Sequence, residues 1–328
     1  MRAQIGILYE HPEWFIPLFA ELDKLDVDYD HLLAHVHTFD PADTQIKYAT
    51  VVNRMSPSAY TREHGNAIFY VAEYLSYLEG IGVDLINGKA AYDVEISKAK
   101  QLALLKQLDL KFPKARVINH PGQAPAAAEG LEYPVLVKPN IGGSGAKIQK
   151  FDDADSLKAA AADEGIDLGI DKTSLVQEYL PLRDGHIVRV EVLDGKYLYA
   201  IKIYPDPDKG FNLCPADVCQ IDSSADDDNK QKVISGYLSE QKEKTQLQIE
   251  AFEPSTLIKN AVLDIARQAH LDLGGIEYLV NDRDGEVYYY DINVLSNFVT
   301  DAEKIIGFNP YTTLAEYITR RAEFSRTA

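Results

Sequence analysis

Apolar and polar positions follow different periods in successive parts of the chain. Over residues 4–95, strand-like runs (QIGILYE, VDYDHLLA, ATVVNRM, VDLING) alternate with helix-period stretches, PEWFIPLFAELDKL and residues 66–80. This predicts a small parallel α/β unit. The next stretch, EISKAKQLALLKQLDL, places Leu102, Leu105 and Leu108 on one helical face and ends before Pro113, predicting one helix. Over residues 131–182 two β-rich runs, YPVLVKPN and AKIQKF, flank a glycine loop, followed by a helical stretch through Ala159–Ala162 and the strand SLVQEYL, a compact α+β lobe. HIVRVEVL and GKYLYAIKIY read as a hairpin turning at Asp194-Gly195, the start of an antiparallel sheet. Residues 205–254 are polar and acidic without a clear period, predicting an inserted loop with some helix. The helix TLIKNAVLDIARQAHL, the strands GGIEYLVND and EVYYYDINV joined at Asp284-Gly285, and a helix over 311–321 complete the pattern.

With 328 residues, 46% hydrophobic and 26% charged, the chain is globular and long enough for two or three lobes. The net charge of −18 argues against a nucleic acid as partner, which requires a basic footprint. A mononucleotide is not excluded, because a few local cations, backbone N–H groups and a metal held by acidic residues suffice. Cys214 and Cys219 have no zinc or redox spacing and read as inert thiols in a reducing cytoplasm. His31, His35 and His37 form no metal motif. The chain starts MRAQIGILYE, with no basic leader or long apolar segment, so neither export nor membrane anchoring is expected.

Two places concentrate chemistry. In VLVKPNIGGSGAKI, Lys138 ends an apolar strand and Gly142, Gly143, Ser144 and Gly145 follow. Glycines let consecutive N–H groups converge on an anion beside the lysine charge; an ordinary glycine hairpin with a surface lysine has the same appearance. It is neither a Walker loop nor a dinucleotide fingerprint. In the last two strands Asp291 and Asn293 are two apart and share a face, and the hairpin can bring Glu277 alongside. Such hard oxygens suit Mg²⁺ completed by water and phosphate, and equally a hydrated strand end. Lys98, Lys100, Arg189 and Lys202 gain meaning only in combination, and Gln177 with Glu178 sits on a strand whose backbone could read an adenine ring.

In this order the features resemble the ATP-grasp superfamily, most closely its RimK-type and glutathione-synthetase-like carboxylate-amine ligases. The resemblance implies an α/β and α+β multidomain chain: a pre-ATP-grasp unit over 1–95, a small lobe with the glycine lid over 96–182, and a C-terminal lobe with the metal site over 183–328. It implies that Lys98 and Lys138 face the phosphates, that Gly142, Gly143, Ser144 and Gly145 form the lid, and that Gln177, Glu178, Tyr179 and Leu180 hold adenine. It further implies Arg189 and Lys202 near the transferred phosphate, Asn212 near phosphate or acceptor, Glu277, Asp291 and Asn293 on the metal, and Arg54 at the substrate. Ile187 stands where the family often has Asp, so the ribose contact falls to Asp184 or Glu178, or is lost. Val294-Leu295-Ser296 replaces the usual Ser-Pro-Gly.

The implied cofactors are ATP and Mg²⁺, with Mn²⁺ as substitute. The implied partners are small-molecule or peptide carboxylates and amines, with neither nucleic acid nor membrane; homo-oligomers are common in the family. The implied reaction is phosphorylation of a carboxylate followed by amine attack on the acyl phosphate. A kinase using the same nucleotide site, and a non-catalytic ATP-binding regulatory module, remain open alternatives.

Overall fold

In the computed structural model, which describes residues 5–206, 210–216 and 247–327, the chain opens on a parallel sheet. Strands β1 (Ile5–Tyr9), β2 (Tyr29–Leu33), β3 (Thr50–Arg54) and β4 (Asp84–Ile86) lie in the order β2-β1-β3-β4. Helices α1 (Ile16–Lys24) and α2 (Gly65–Gly80) connect them. The strand period of two divides β1 between two cores: Ile5 and Ile7 pack with Leu18 and Leu22 of α1, whereas Leu8 packs with Ile68, Val71 and Leu75 of α2. Each fully buried aliphatic side chain there contributes about 1.5–3 kcal/mol. The order reverses at β1, so the carboxyl ends of β1 and β3 flank a crevice of the kind in which open α/β sheets bind ligands.

Two helices follow, α3 (Lys89–Glu95) and α4 (Lys98–Gln107). The helix expected over EISKAKQLALLKQLDL is α4, which starts after Ser97 because Ser97 takes extended backbone and its side chain caps the helix by accepting from Lys100 N; α3 before it was not expected. The small antiparallel sheet has the order β5-β8-β6-β7. It contains β5 (Ala115–Ile118), β6 (Val135–Pro139), β7 (Gln149–Phe151) and β8 (Ser174–Glu178), with α5 (Ala124–Ala127) and α6 (Ala154–Ala162) against it. Strand β5 carries no alternating apolar signal, because Arg116 and Val117 on this edge strand are exposed.

The third sheet is antiparallel, in the order β11-β10-β9-β12-β13. Its strands are β9 (Ile187–Leu193), β10 (Lys196–Tyr204), β11 (Gln248–Phe252), β12 (Leu273–Val280) and β13 (Val287–Asn293), followed by α8 (Ala302–Ile305) and α9 (Pro310–Thr327). Helix α7 (Thr256–Gln268) packs on one face, where Val188, Val190 and Val192 meet Val262 and Ile265. Strand β11 lies inside the stretch read as a loop. Its residues are mostly exposed, and it is held by pairing with β10. Cys219 and the acidic runs DSSADDDNKQK and EQKEKTQ lie outside the described residues.

The first and third sheets are joined directly. Asn87, fully buried just after β4, donates through Nδ2 to Leu273 O (2.7 Å) and Val294 O (3.1 Å) and accepts at Oδ1 from Asp272 N (2.9 Å) and Leu273 N (3.2 Å). Arg321 of α9 donates to both Asp84 and Asp272. One continuous core contains Ile5, Ile7 and Leu18 together with Ile201, Leu273 and Ile318. Among the described residues no helix is long and apolar enough to cross a membrane.

Candidate active site

A cavity of about 560 Å³ lies between the small sheet and the third sheet, with the 3₁₀ segment Pro57–Arg62 of the first unit on its border. Strand geometry delivers its charges. Lys138 sits on β6, Lys98 begins α4, and Glu277, Asp291 and Asn293 come from β12 and β13, where Glu277 pairs with Asp291 and Gly275 with Asn293. The register shifts between Glu277 and Tyr278. Such a bulge re-aims side chains, and Tyr290 as well as Asp291 reaches the Glu277 side, the Tyr290 hydroxyl donating to Glu277 Oε2 at 2.8 Å.

The charges are unequally matched. Asp291 accepts from the Lys98 ammonium; although burial raises its pKa, the Lys98 and Lys138 charges hold its carboxyl below the ordinary value. Each nitrogen of Arg189 has a partner: Nε donates to Glu191 (2.6 Å), Nη1 to Glu277 (2.9 Å) and Nη2 to Ser296 Oγ (3.0 Å). Burial nevertheless raises Glu277. Lys138 is 5% exposed, and no partner for its ammonium is found among the described residues. Burial, with Lys98 close by, lowers its pKa to about 8. A buried ammonium that faces a cavity, attracted by Asp291 and Glu277 but hydrogen-bonded to neither, can receive an anion.

The glycine loop lies against both neighbouring units. A Cβ on Gly143 would stand 2.8 Å from Ser58 Cβ, and one on Gly145, whose φ is +67°, would stand 2.3 Å from Phe211 C. Only glycine permits both the left-handed turn and that approach. Ser144, Gln177, Glu178, Tyr179 and Leu180 also line the cavity. Gln177 Oε1 is buried without a partner, whereas Glu178 Oε1 accepts from Glu132 N at 3.0 Å.

Four expected residues stand elsewhere. Lys202 pairs with Val188 while its neighbour Ile201 pairs with Arg189, so the strand period turns Lys202 to the opposite face from Arg189. There it lies 4.9 Å from the Phe252 ring centroid. Arg54 is behind the wall, 1% exposed, and its Nη2 donates to Ser296 O at 2.6 Å. Its Nε and Nη1 are without partners, and burial lowers its pKa to about 10. Asp184 is exposed at a turn outside the lining. Asn212 adjoins Gly145, but its Oδ1 accepts from Cys214 N at 3.2 Å, folding its own loop.

Sequence reading missed the opposite wall. Trp14 lines the cavity, with the His11 ring stacked on it and the Arg62 guanidinium 4.5 Å from its centroid. Buried Glu10 accepts from Arg62 and His64, and the His64 ring stacks on His35. Their one sequence signal was a carboxylate at the carboxyl end of the first strand of a parallel sheet. Glu95 was missed too: it lines the cavity, accepts from Val294 N, and burial raises its pKa to about 7.

The donor set admits a hard divalent ion. Among the described residues no group of three or more His, Cys, Asp and Glu could hold a metal alone. Two carboxylates and an amide beside an unpaired ammonium are what Mg²⁺ uses when phosphate and water complete its shell.

Residues 95–212 match the family model of the RimK-like ATP-grasp domain. The coenzyme gamma-F420-2:alpha-L-glutamate ligase of Methanococcus maripaludis is 28% identical over 129 residues, 38% of this chain and 44% of that protein, so the match spans less than half of the relative. The ATP-grasp ligase PsnB complexed with minimal precursor, Mg and ADP superposes with a TM-score of 0.61 at 17% identity, over 97% of each chain. The D-cycloserine synthetase DcsG gives 0.65 at 15%, over 97% of this chain and 99% of that one. The D-alanine–D-alanine ligase of Bacillus anthracis complexed with ATP gives 0.63 at 15%, over 100% and 99%.

Proposed function

From the premise that this chain has the ATP-grasp fold and carries a RimK-like ATP-grasp domain over residues 95–212, we propose that it is an ATP- and Mg²⁺-dependent carboxylate-amine ligase. It forms an amide from an amino acid or peptide through an acyl phosphate, releasing ADP and phosphate. One observation carries the reading: the unpaired, buried Lys138 ammonium faces the same cavity as Lys98, Glu277, Asp291, Asn293 and the glycine loop.

Lys138 and Lys98 bind the triphosphate and stabilise charge as the phosphoryl group passes to the substrate carboxylate, a reaction whose catalysis is chiefly positioning and electrostatics. Glu277, Asp291 and Asn293 would hold the Mg²⁺, which supplies further charge neutralisation at the transferred group. Arg189 orients Glu277 through their 2.9 Å bond, and Tyr290 fixes the other carboxylate oxygen. Gln177 and the chain through Leu180 receive adenine, and the seated glycine loop excludes water from the acyl phosphate.

A matrix of carboxylic acids and amines, incubated with ATP and Mg²⁺ and followed by phosphate release and product mass, tests the reading. An amide appearing in step with free phosphate supports it. Phosphate retained on an acceptor identifies a kinase, and no ADP with any pair identifies a module without turnover.

A further inference from the structure

The segment Pro57–Arg62 touches both the glycine loop and the Trp14 wall, and one side chain connects them. Arg62 donates to Glu10 Oε2 through Nε (3.0 Å) and Nη2 (2.6 Å), and through Nη1 to Ser58 Oγ (3.3 Å). Its guanidinium also lies over Trp14. Ser58 is the residue against which Gly143 is seated, and Lys147 at the far end of the loop lies 5.6 Å from the Tyr60 ring centroid. Glu10, itself 2% exposed, is held at the end of β1. The planar fork of arginine can serve a carboxylate, a hydroxyl and a ring face at once; an ammonium cannot.

We propose that Arg62 is a positioning residue for the ligase reaction: it fixes Ser58 as the seat of the glycine loop and Trp14 as the facing wall, so that loop closure requires an ordered first unit. This rests on the ligase reading. Loss of Arg62 leaves the phosphate receptors Lys98 and Lys138 in place but lets the seat shift, so nucleotide binds while the loop fails to close.

The test is tryptic cleavage of the Lys147–Ile148 bond in the full chain, with and without AMPPNP and Mg²⁺, read by mass spectrometry alongside AMPPNP affinity. In wild type the nucleotide protects this bond. Arg62→Ala should lose protection by about fivefold or more, the lower range of coupling between sites, with AMPPNP affinity falling in the same ratio by linkage and cleavage without nucleotide changed less than about twofold. Arg62→Lys, which keeps charge beside Glu10, decides the matter where the alanine variant does not fold, and should lose protection in the same direction. Gly143→Ala, which leaves the Glu10 pair intact but puts a methyl against Ser58, should reproduce the loss. Wild-type protection in Arg62→Lys, or faster cleavage without nucleotide that accounts for the whole loss, overturns the proposal alone. Wild-type protein that binds no nucleotide overturns the ligase reading and this one with it.

Discussion

The cavity around Lys138 and the cluster behind Trp14 treat their charges in opposite ways. The buried Lys138 ammonium feels Asp291 and Glu277 but has no hydrogen-bond partner among the described residues, whereas behind Trp14, outside the lining, Arg62 and Glu10 satisfy each other through paired short hydrogen bonds. Burying an unmatched charge is costly, and a ligand that matches it recovers that cost. A saturated pair has nothing to offer an incoming charge, and serves by holding its surroundings still. In the proposed reaction the unpaired Lys138 charge receives a substrate group, and a pair such as Arg62–Glu10 keeps the receiver in shape.

Four substitutions test that contrast. Lys138→Ala should have the largest effect, lowering ATP turnover about 10³-fold while the thermal midpoint is kept or raised, since a buried unmatched charge is removed. A destabilised variant would show that Lys138 is structural. Asp291→Ala should lower turnover about 10²-fold and move the Mg²⁺ titration to higher concentration; an unchanged metal titration would place the ion elsewhere. Glu10→Gln belongs to the paired end and should appear in stability, with a loss of about 1.5–3 kcal/mol at neutral pH measured by urea unfolding.

That loss should depend on pH. Burial raises the Glu10 pKa, but the Arg62 and His64 bonds outweigh it and hold the carboxyl below its ordinary value of 4.5. Glu10 therefore stabilises the fold above that value, and the contribution fades as pH falls through the folded-state pKa. The difference between wild type and Glu10→Gln should shrink on the acid side. Lys202→Met, on the face turned away from the cavity, should leave turnover within about twofold and stability within about 1 kcal/mol; a large loss of turnover would return Lys202 to the site.

The Lys138 end was legible in sequence because its residues lie in short segments with fixed local geometry. A glycine loop after an apolar strand, and acidic residues two apart on a strand, announce their faces without knowledge of the rest. Lys202 shows the limit: the order of residues matched, but register assigns the face, and register emerges only when β10 pairs with β9. The Trp14 side draws Glu10 from the end of β1, Trp14 from the 3₁₀ turn Pro12–Phe15, and Ser58 and Arg62 from the 3₁₀ turn Pro57–Arg62, so no local period marks it. Strands β5 and β11 were invisible for a related reason: at exposed edges, pairing rather than an apolar face makes the strand.

Asn87 and Arg321 tie the parallel sheet to the five-stranded one, and a common core fills the space between them. The two sheets are thereby a single chassis, and the small sheet, which carries Lys138 and leads into its glycines, faces it across the cavity. In the proposed reaction, a jaw-like opening would part the seam at Ser58 and Phe211 and leave the rivets at Asn87 and Arg321 untouched.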